Sequence, residues 1–222
     1  MVFQFFKGGD SAIDEVEATL VQMVLDGRDV FDTAMEALFG GGKSKETKKD
    51  IKSTDRGINT AQRDVRRELM VHASVHDTVD LPLVLAYMST VKDVERIGDY
   101  SKNFYDLVKY GADFENAPDH DELAGYRDRV SSLLGDAAAT FEAHDADRAR
   151  KLIAKADAFL DEYDNHVKTA YRSTGAPGDA VSRALYYRFL KRITAHVMNF
   201  LTSMVLPIDR LDYYDEAKDD RE

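Results

Sequence analysis

Apolar positions along the 222-residue chain recur at helical spacing over six long stretches. In the first, Ile13, Val16, Leu20, Val24, Phe31, Ala34 and Leu38 follow at intervals of three, four and seven, the stripe that one helix face buries. Gly40-Gly41-Gly42 then stops the helix. A second stretch, about 44–76, carries Ile51, Ile58, Val65 and Leu69 in step. A turn at 77–82 follows, with Asp80 placed as an N-cap and Pro82 in the first turn of a third helix that runs to about 110, where Gly111 closes it. Asn116-Ala117-Pro118-Asp119 opens a fourth helix to about 143, and 144–147 starts a fifth to about 173. After a break at 174–179 the sixth runs toward 212, with Pro207 kinking it or ending it early. No stretch sustains the alternation of a strand. Helices of this length are rods of roughly 40 Å, and rods joined by short turns pack as bundles. The expected fold is therefore all-α.

The halves repeat one another. Shifted by 102, Phe39 meets Phe141, Ile51 meets Ile153, Asp55 meets Asp157, Ile58 meets Leu160 and Asn59 meets Asp161. Shifted by 96, Arg96-Ile97 meets Arg192-Ile193 and Asn103 meets Asn199. A duplicated three-helix unit accounts for this, with the division at 1–112 and 113–222.

Composition narrows the function. The 41 acids exceed the 30 Lys and Arg, a formal charge of -11, which disfavours nucleic acid as a partner. Without cysteine there is no disulfide, thiolate zinc site, cysteine-held iron–sulfur cluster or cysteine nucleophile. The apolar part of the first nine residues is too short for a signal peptide, and the longest uncharged stretch, 193–208, is too short and polar for a spanning helix. A cytoplasmic protein is expected.

One string stands out: Lys92-Asp93-Val94-Glu95-Arg96-Ile97-Gly98-Asp99-Tyr100-Ser101-Lys102-Asn103. Glu95 and Asp99, four apart, share a helix face. The stripe Val84, Met88, Val91 extrapolates onto Glu95 and Gly98, so a carboxylate stands where an apolar residue belongs. Burying it is costly unless a cation or metal pairs with it. Gly98 costs a helix about 1 kcal/mol relative to Ala and implies the close approach of another helix or an ion. On the second helix Asp55 and Asn59 follow the buried stripe, so Glu95, Asp99, Asp55 and Asn59 form a candidate oxygen-ligand set for a hard cation. Ion pairing of Glu95 and Asp99 with Arg96, Lys92 or Arg66 is the competing reading.

The string 93–99 with Asn103 resembles the PhoU family motif, and Thr54-Asp55-Arg56-Gly57-Ile58-Asn59 through Arg66-Arg67-Glu68 resembles that family's second helix. The resemblance implies two three-helix bundles. It also implies an accessory regulator of inorganic phosphate uptake and signalling that is not an enzyme. Such a regulator contacts a phosphate transporter component or a sensor kinase, and meets the membrane only through a transporter partner. It implies that Glu95 and Asp99 match a motif able to bind metal, with iron or zinc as candidates, and a homodimer is the expected assembly. The second repeat departs from the pattern: Lys191, Ala195 and Phe189 stand where Glu, Asp and Asp would be expected. The expectation there is an internal salt bridge from Lys191 to Asp157 or Asp161, leaving one metal-competent half.

Other features carry less. Glu68, His72 and His76, with Asp80 a turn on, have metal-ligand spacing, against a plainer reading as histidines facing solvent or capping carbonyls. His144 and His166 read as surface residues and His196 as a core histidine. Gly40-Gly41-Gly42-Lys43-Ser44 lacks the first glycine of a phosphate loop and follows a helix instead of a strand. No Glu of the six helices has a His three residues on, which a di-iron bundle enzyme requires. Lys43, Lys45, Lys48, Lys49, Lys52 and Arg56 form a basic patch that suits an acidic partner, the headgroup side of a membrane transporter, or plain solvent. Val2-Phe3-Gln4-Phe5-Phe6 is an apolar cluster in need of cover, and the acidic tail beyond 209 reads as a frayed end from which Tyr213-Tyr214 can pack back.

Overall fold

The computed structural model describes residues 11–75, 80–211 and 214. The apolar cluster at 2–6, His76 and Tyr213 lie outside the described residues. Six α-helices follow in order: α1 (Ser11–Glu36), α2 (Lys45–Val75), α3 (Leu81–Lys109), α4 (His120–Glu142), α5 (Ala146–Tyr171) and α6 (Pro177–Thr202). A π-helical turn, Ala37–Gly41, ends α1, and a 3-10 turn, Ile208–Arg210, follows α6. There is no strand among the described residues. No helix among them is long and apolar enough to cross a membrane.

Local chemistry sets the helix ends. Gly40 and Gly42 take φ of 136° and 63°, conformations that side chains resist, and Gly42 N–H closes the turn on the Ala37 carbonyl at 2.9 Å. Asp80 caps α3 through Oδ1, which accepts from Leu83 N–H at 3.2 Å, and Asp145 caps α5 on Arg148 N–H at 2.9 Å. Asp119 begins α4 without capping it; its carboxylate is gripped by both Nη atoms of Arg183 on α6.

The sixth helix is shorter than the apolar run implies. It stops at Thr202, five residues before Pro207. Thr202 Oγ1 bonds the Asn199 carbonyl at 2.7 Å and the Leu211 carbonyl at 2.6 Å, while Ser203 Oγ takes the Phe200 carbonyl at 2.6 Å. These hydroxyls compete with the helix ladder for the last carbonyls, and Pro207, extended at φ -68° and ψ 160°, carries the chain away. Tyr214 packs back on the core.

α2 packs on α1 and α3, and α5 packs on α4 and α6, while α1–α4 and α3–α6 contacts join the two sets. The positions aligned by the repeat occupy like environments: Ile51 and Ile153, Ile58 and Leu160, Ile97 and Ile193 are all buried. The division at 112/113 falls in the α3–α4 connector, and one hydrophobic core spans both sides of it. Aromatic rings fill the junction. Tyr186 lies edge-on to Phe114 at 5.1 Å and to Phe104 at 5.7 Å, and its hydroxyl donates to the Leu123 carbonyl at 2.7 Å. Phe141 stacks on Phe200 at 4.5 Å.

Candidate functional site: the charged groove between α2 and α3

Gly98 brings α2 and α3 together. A Cβ there would lie 2.8 Å from Ile58 Cδ1, and on the α1 side a Cβ on Gly27 would lie 3.0 Å from Ile97 Cγ2. The glycine therefore serves helix approach, one of the two roles its position implies.

Around that contact the four candidate residues are all held. Glu95 is buried, and Oε2 accepts from Lys92 Nζ at 2.7 Å, with Arg96 Nε at 3.9 Å. Asp99 accepts from Arg96 Nη1 at 2.8 Å and from Lys102 Nζ at 2.7 Å. Lys102 also reaches across the groove to Asp55 Oδ1 at 2.9 Å. Asn59 turns its amide onto its own helix, donating to the Asp55 carbonyl at 2.8 Å. The structure thus joins Asp55 to Asp99 through one ammonium, while Glu95 has a lysine of its own.

The electrostatics follow from these contacts. Burial raises the Asp99 carboxyl, but the bond from Lys102 and the charges of Lys102, Arg96 and Lys92 outweigh it and leave it below the ordinary carboxylate value. Burial lowers the Lys102 ammonium, but Asp99 and Asp55 outweigh that and hold it above the ordinary lysine value.

Lys102 Nζ stands between Asp55 and Asp99, bonded to both. Among the described residues no group of three or more His, Asp or Glu side chains is gathered to hold a metal ion. As arranged, this donor set does not fit a metal centre; it is an ion-pair network. Of the cationic partners the sequence suggested, Lys92 and Arg96 are engaged. Lys102 was legible as a cation three residues after Asp99, on the same helix face.

In the second unit Lys191 makes an internal salt bridge, but to Asp164 Oδ2 at 2.6 Å, where Asp157 or Asp161 was expected. The long lysine stem spans the α5–α6 contact one turn further along than the motif alignment implied.

A second cluster joins the two units and was not foreseen. Asp93 Oδ1 on α3 lies 2.8 Å from His196 Nδ1 and accepts from Asn199 Nδ2 at 3.0 Å, both on α6. Arg192 Nη2 lies 3.2 Å from His196 Nε2; since arginine only donates, Nε2 accepts and the ring proton sits on Nδ1. Tyr100 stacks on the imidazole at 5.7 Å. His196 is thus a satisfied core histidine, as its apolar surroundings implied.

The remaining histidines are dispersed. His72 is buried while Glu68 is exposed, so the two share no open face, and Asp80 is spent on its cap. His166 is half-buried, 2.6 Å from the Tyr126 hydroxyl and stacked on Tyr187 at 4.3 Å. His144 is exposed but sets Nε2 3.5 Å from Glu17 Oε2. Glu17 is buried, and the Tyr87 hydroxyl donates to it. Burial pushes the Glu17 carboxyl above its ordinary value despite the opposing pull of Tyr87 and His144.

Two fused three-helix units, one shared core and a charged groove define a duplicated helical-bundle protein. Residues 20–108 match the family model of the PhoU domain. A phosphate-specific transport system accessory protein PhoU homolog from Streptococcus pneumoniae is 28% identical over 157 residues, covering 69% of this chain and 71% of that protein. One from Synechocystis is 26% identical over 196 residues, 86% of each. The crystal structure of the phosphate transport system regulatory protein PhoU from Streptococcus pneumoniae superposes with a TM-score of 0.74 at 20% identity, covering 95% of this chain and 97% of that one. PhoU from Pseudomonas aeruginosa gives 0.74 at 21%, covering 90% and 97%. Residues 20–108 are thus similar to the PhoU domain, and most of the chain aligns with PhoU homologues.

Proposed function

We propose that this chain is an accessory regulator of inorganic phosphate transport, working in the cytoplasm through contacts with a phosphate transporter component or a sensor kinase. The observation that carries this is the PhoU domain match over 20–108, supported by relatives that are themselves phosphate-specific transport accessory proteins. The test is affinity isolation of the tagged chain from phosphate-replete cells. Recovery of a phosphate transporter subunit or a phosphate-responsive kinase is expected; their absence alongside an enriched unrelated complex would overturn the reading.

Within that role the first-unit motif acts by charge pairing. Lys102 neutralises Asp55 and Asp99, and Lys92 neutralises Glu95, so the groove closes on the chain's own cations. Metal content of purified protein, measured by mass spectrometry, checks this. Stoichiometric metal in the wild type, lost in Glu95→Ala with Asp99→Ala, would contradict it.

A further inference from the structure

α2 is an outer helix, packed on α1 and α3, and its buried residues, Ile51, Ile58, Val65 and Leu69 among them, face those two neighbours. Its outer face is cationic. At about 100° per residue, Lys45, Lys48, Lys49 and Lys52 fall in one sector of about 100°. Arg56, Arg63, Arg66 and Arg67 fall in the same sector, so the stripe runs about 33 Å along the helix. Seven of the eight are exposed and Arg66 is half-buried. The acids of α2 lie outside that sector: Glu46, Asp50 and Glu68 on the flank, Asp64 on the same flank but paired with Arg67 Nη1 at 2.6 Å, and Asp55 turned into the groove onto Lys102. In a chain of charge -11 this is a concentrated local exception.

The fold does not require the stripe. On α5, the equivalent outer helix, Arg150, Lys151 and Lys168 match Lys48, Lys49 and Arg66, but Asp147, Ala154, Ala158, Asn165 and Thr169 stand at the positions of Lys45, Lys52, Arg56, Arg63 and Arg67, so the stripe is broken there. The stripe also ends in exposed apolar side chains. Met70, Val71 and Val75 at the close of α2 are 59%, 50% and 67% exposed, and Leu81 and Leu85 at the start of α3 are 53% and 49% exposed.

We propose that this face docks the protein directly on an anionic phospholipid bilayer. The stripe complements the headgroup charge, and the apolar end enters the headgroup boundary, the combination that holds amphipathic surfaces at membranes. The exposed cations line one face of a single helix over about 33 Å, and a planar bilayer offers anionic charge along that whole length. The proposal does not depend on the phosphate-transport reading. It replaces the expectation that the membrane is reached only through a transporter partner.

The test is co-sedimentation of the full chain with phosphatidylcholine vesicles, with and without phosphatidylglycerol. Binding is expected only with phosphatidylglycerol. It should fall steeply between about 0.1 M and about 1 M salt, as the screening length shrinks from ~10 Å to ~3 Å. Lys48→Gln, Lys49→Gln, Lys52→Gln and Arg56→Gln together should weaken partitioning about six hundredfold, at roughly fivefold per cation. Lys151→Gln with Lys168→Gln on α5 should leave it intact. Circular dichroism confirms that both variants are folded, and the salt dependence of the wild type stands without either. Equal binding to both vesicle types, or undiminished binding by the α2 variant, would overturn the proposal. So would capture of soluble polyglutamate without vesicle binding, which would assign the stripe to an acidic protein.

Discussion

Replacing Lys102 with Met keeps the apolar stem and removes the charge that joins α2 to α3. Two carboxylates then face each other across the groove, with side chains only 17% and 23% exposed for Asp55 and Asp99. Each lost charge-assisted hydrogen bond is worth about 1.5–3 kcal/mol. Lys102 is itself 36% exposed, so water recovers part of that, and the net cost is about 2 kcal/mol. For a chain of this size it lowers the melting temperature by about 4–8 °C. The pH dependence identifies the cause. Asp99 sits below its ordinary 3.8, so its contribution is present above that value and lost as pH falls through its folded value. Lys102 sits above its ordinary 10.5, so its contribution is present below that value and lost as pH rises further. Thermal melts of wild type and Lys102→Met should diverge most between these limits and converge in strong acid. Coincident melts at neutral pH, or a gap unchanged in strong acid, would refute the argument.

Three further predictions follow from packing and burial. Gly98→Ala drives a methyl toward Ile58 Cδ1 and should destabilise by about 1 kcal/mol after the gain in helix propensity. In an Ile58→Val background, which removes Cδ1, the same substitution should become neutral or stabilising by thermal denaturation. Glu17→Gln should raise the melting temperature at neutral pH, because a carboxyl held above its ordinary 4.5 opposes folding once ionised. That gain should vanish below pH 4.5, where both folded and unfolded forms are protonated. Asp93→Ala strips the acceptor from the buried His196 and Asn199 and should cost about 3 kcal/mol in denaturant unfolding. Asp93→Asn, which keeps an acceptor oxygen, should cost less.

The six rods, the Asp80 cap and the duplication were legible because they rest on local chemistry: apolar spacing, Asp80 at the start of α3, glycines at stops; the Asp145 cap within the 144–147 start emerged from the structure. The end of α6 was not, since Thr202 and Ser203 unwind the helix by bonding carbonyls, one of them Leu211 nine residues on. The candidate site was half legible. Periodicity placed Asp55 and Asp99 in one groove, and glycine spacing announced the close approach at Gly98. Which cation sits between them depends on lysine reach, and Lys102, like Lys191 with Asp164, selects its partner through a flexible stem. The Asp93–His196–Asn199 cluster was hidden because it depends on how the two units dock, and no local spacing reports that.

The most direct test of the central claim is phosphate physiology in cells lacking this protein. Phosphate uptake and a phosphate-starvation reporter are measured in replete medium, with and without a plasmid copy of the wild-type chain. The account predicts that loss misregulates uptake and the reporter, and that the wild-type copy restores both. Uptake and reporter output identical in the presence and absence of the protein would contradict it.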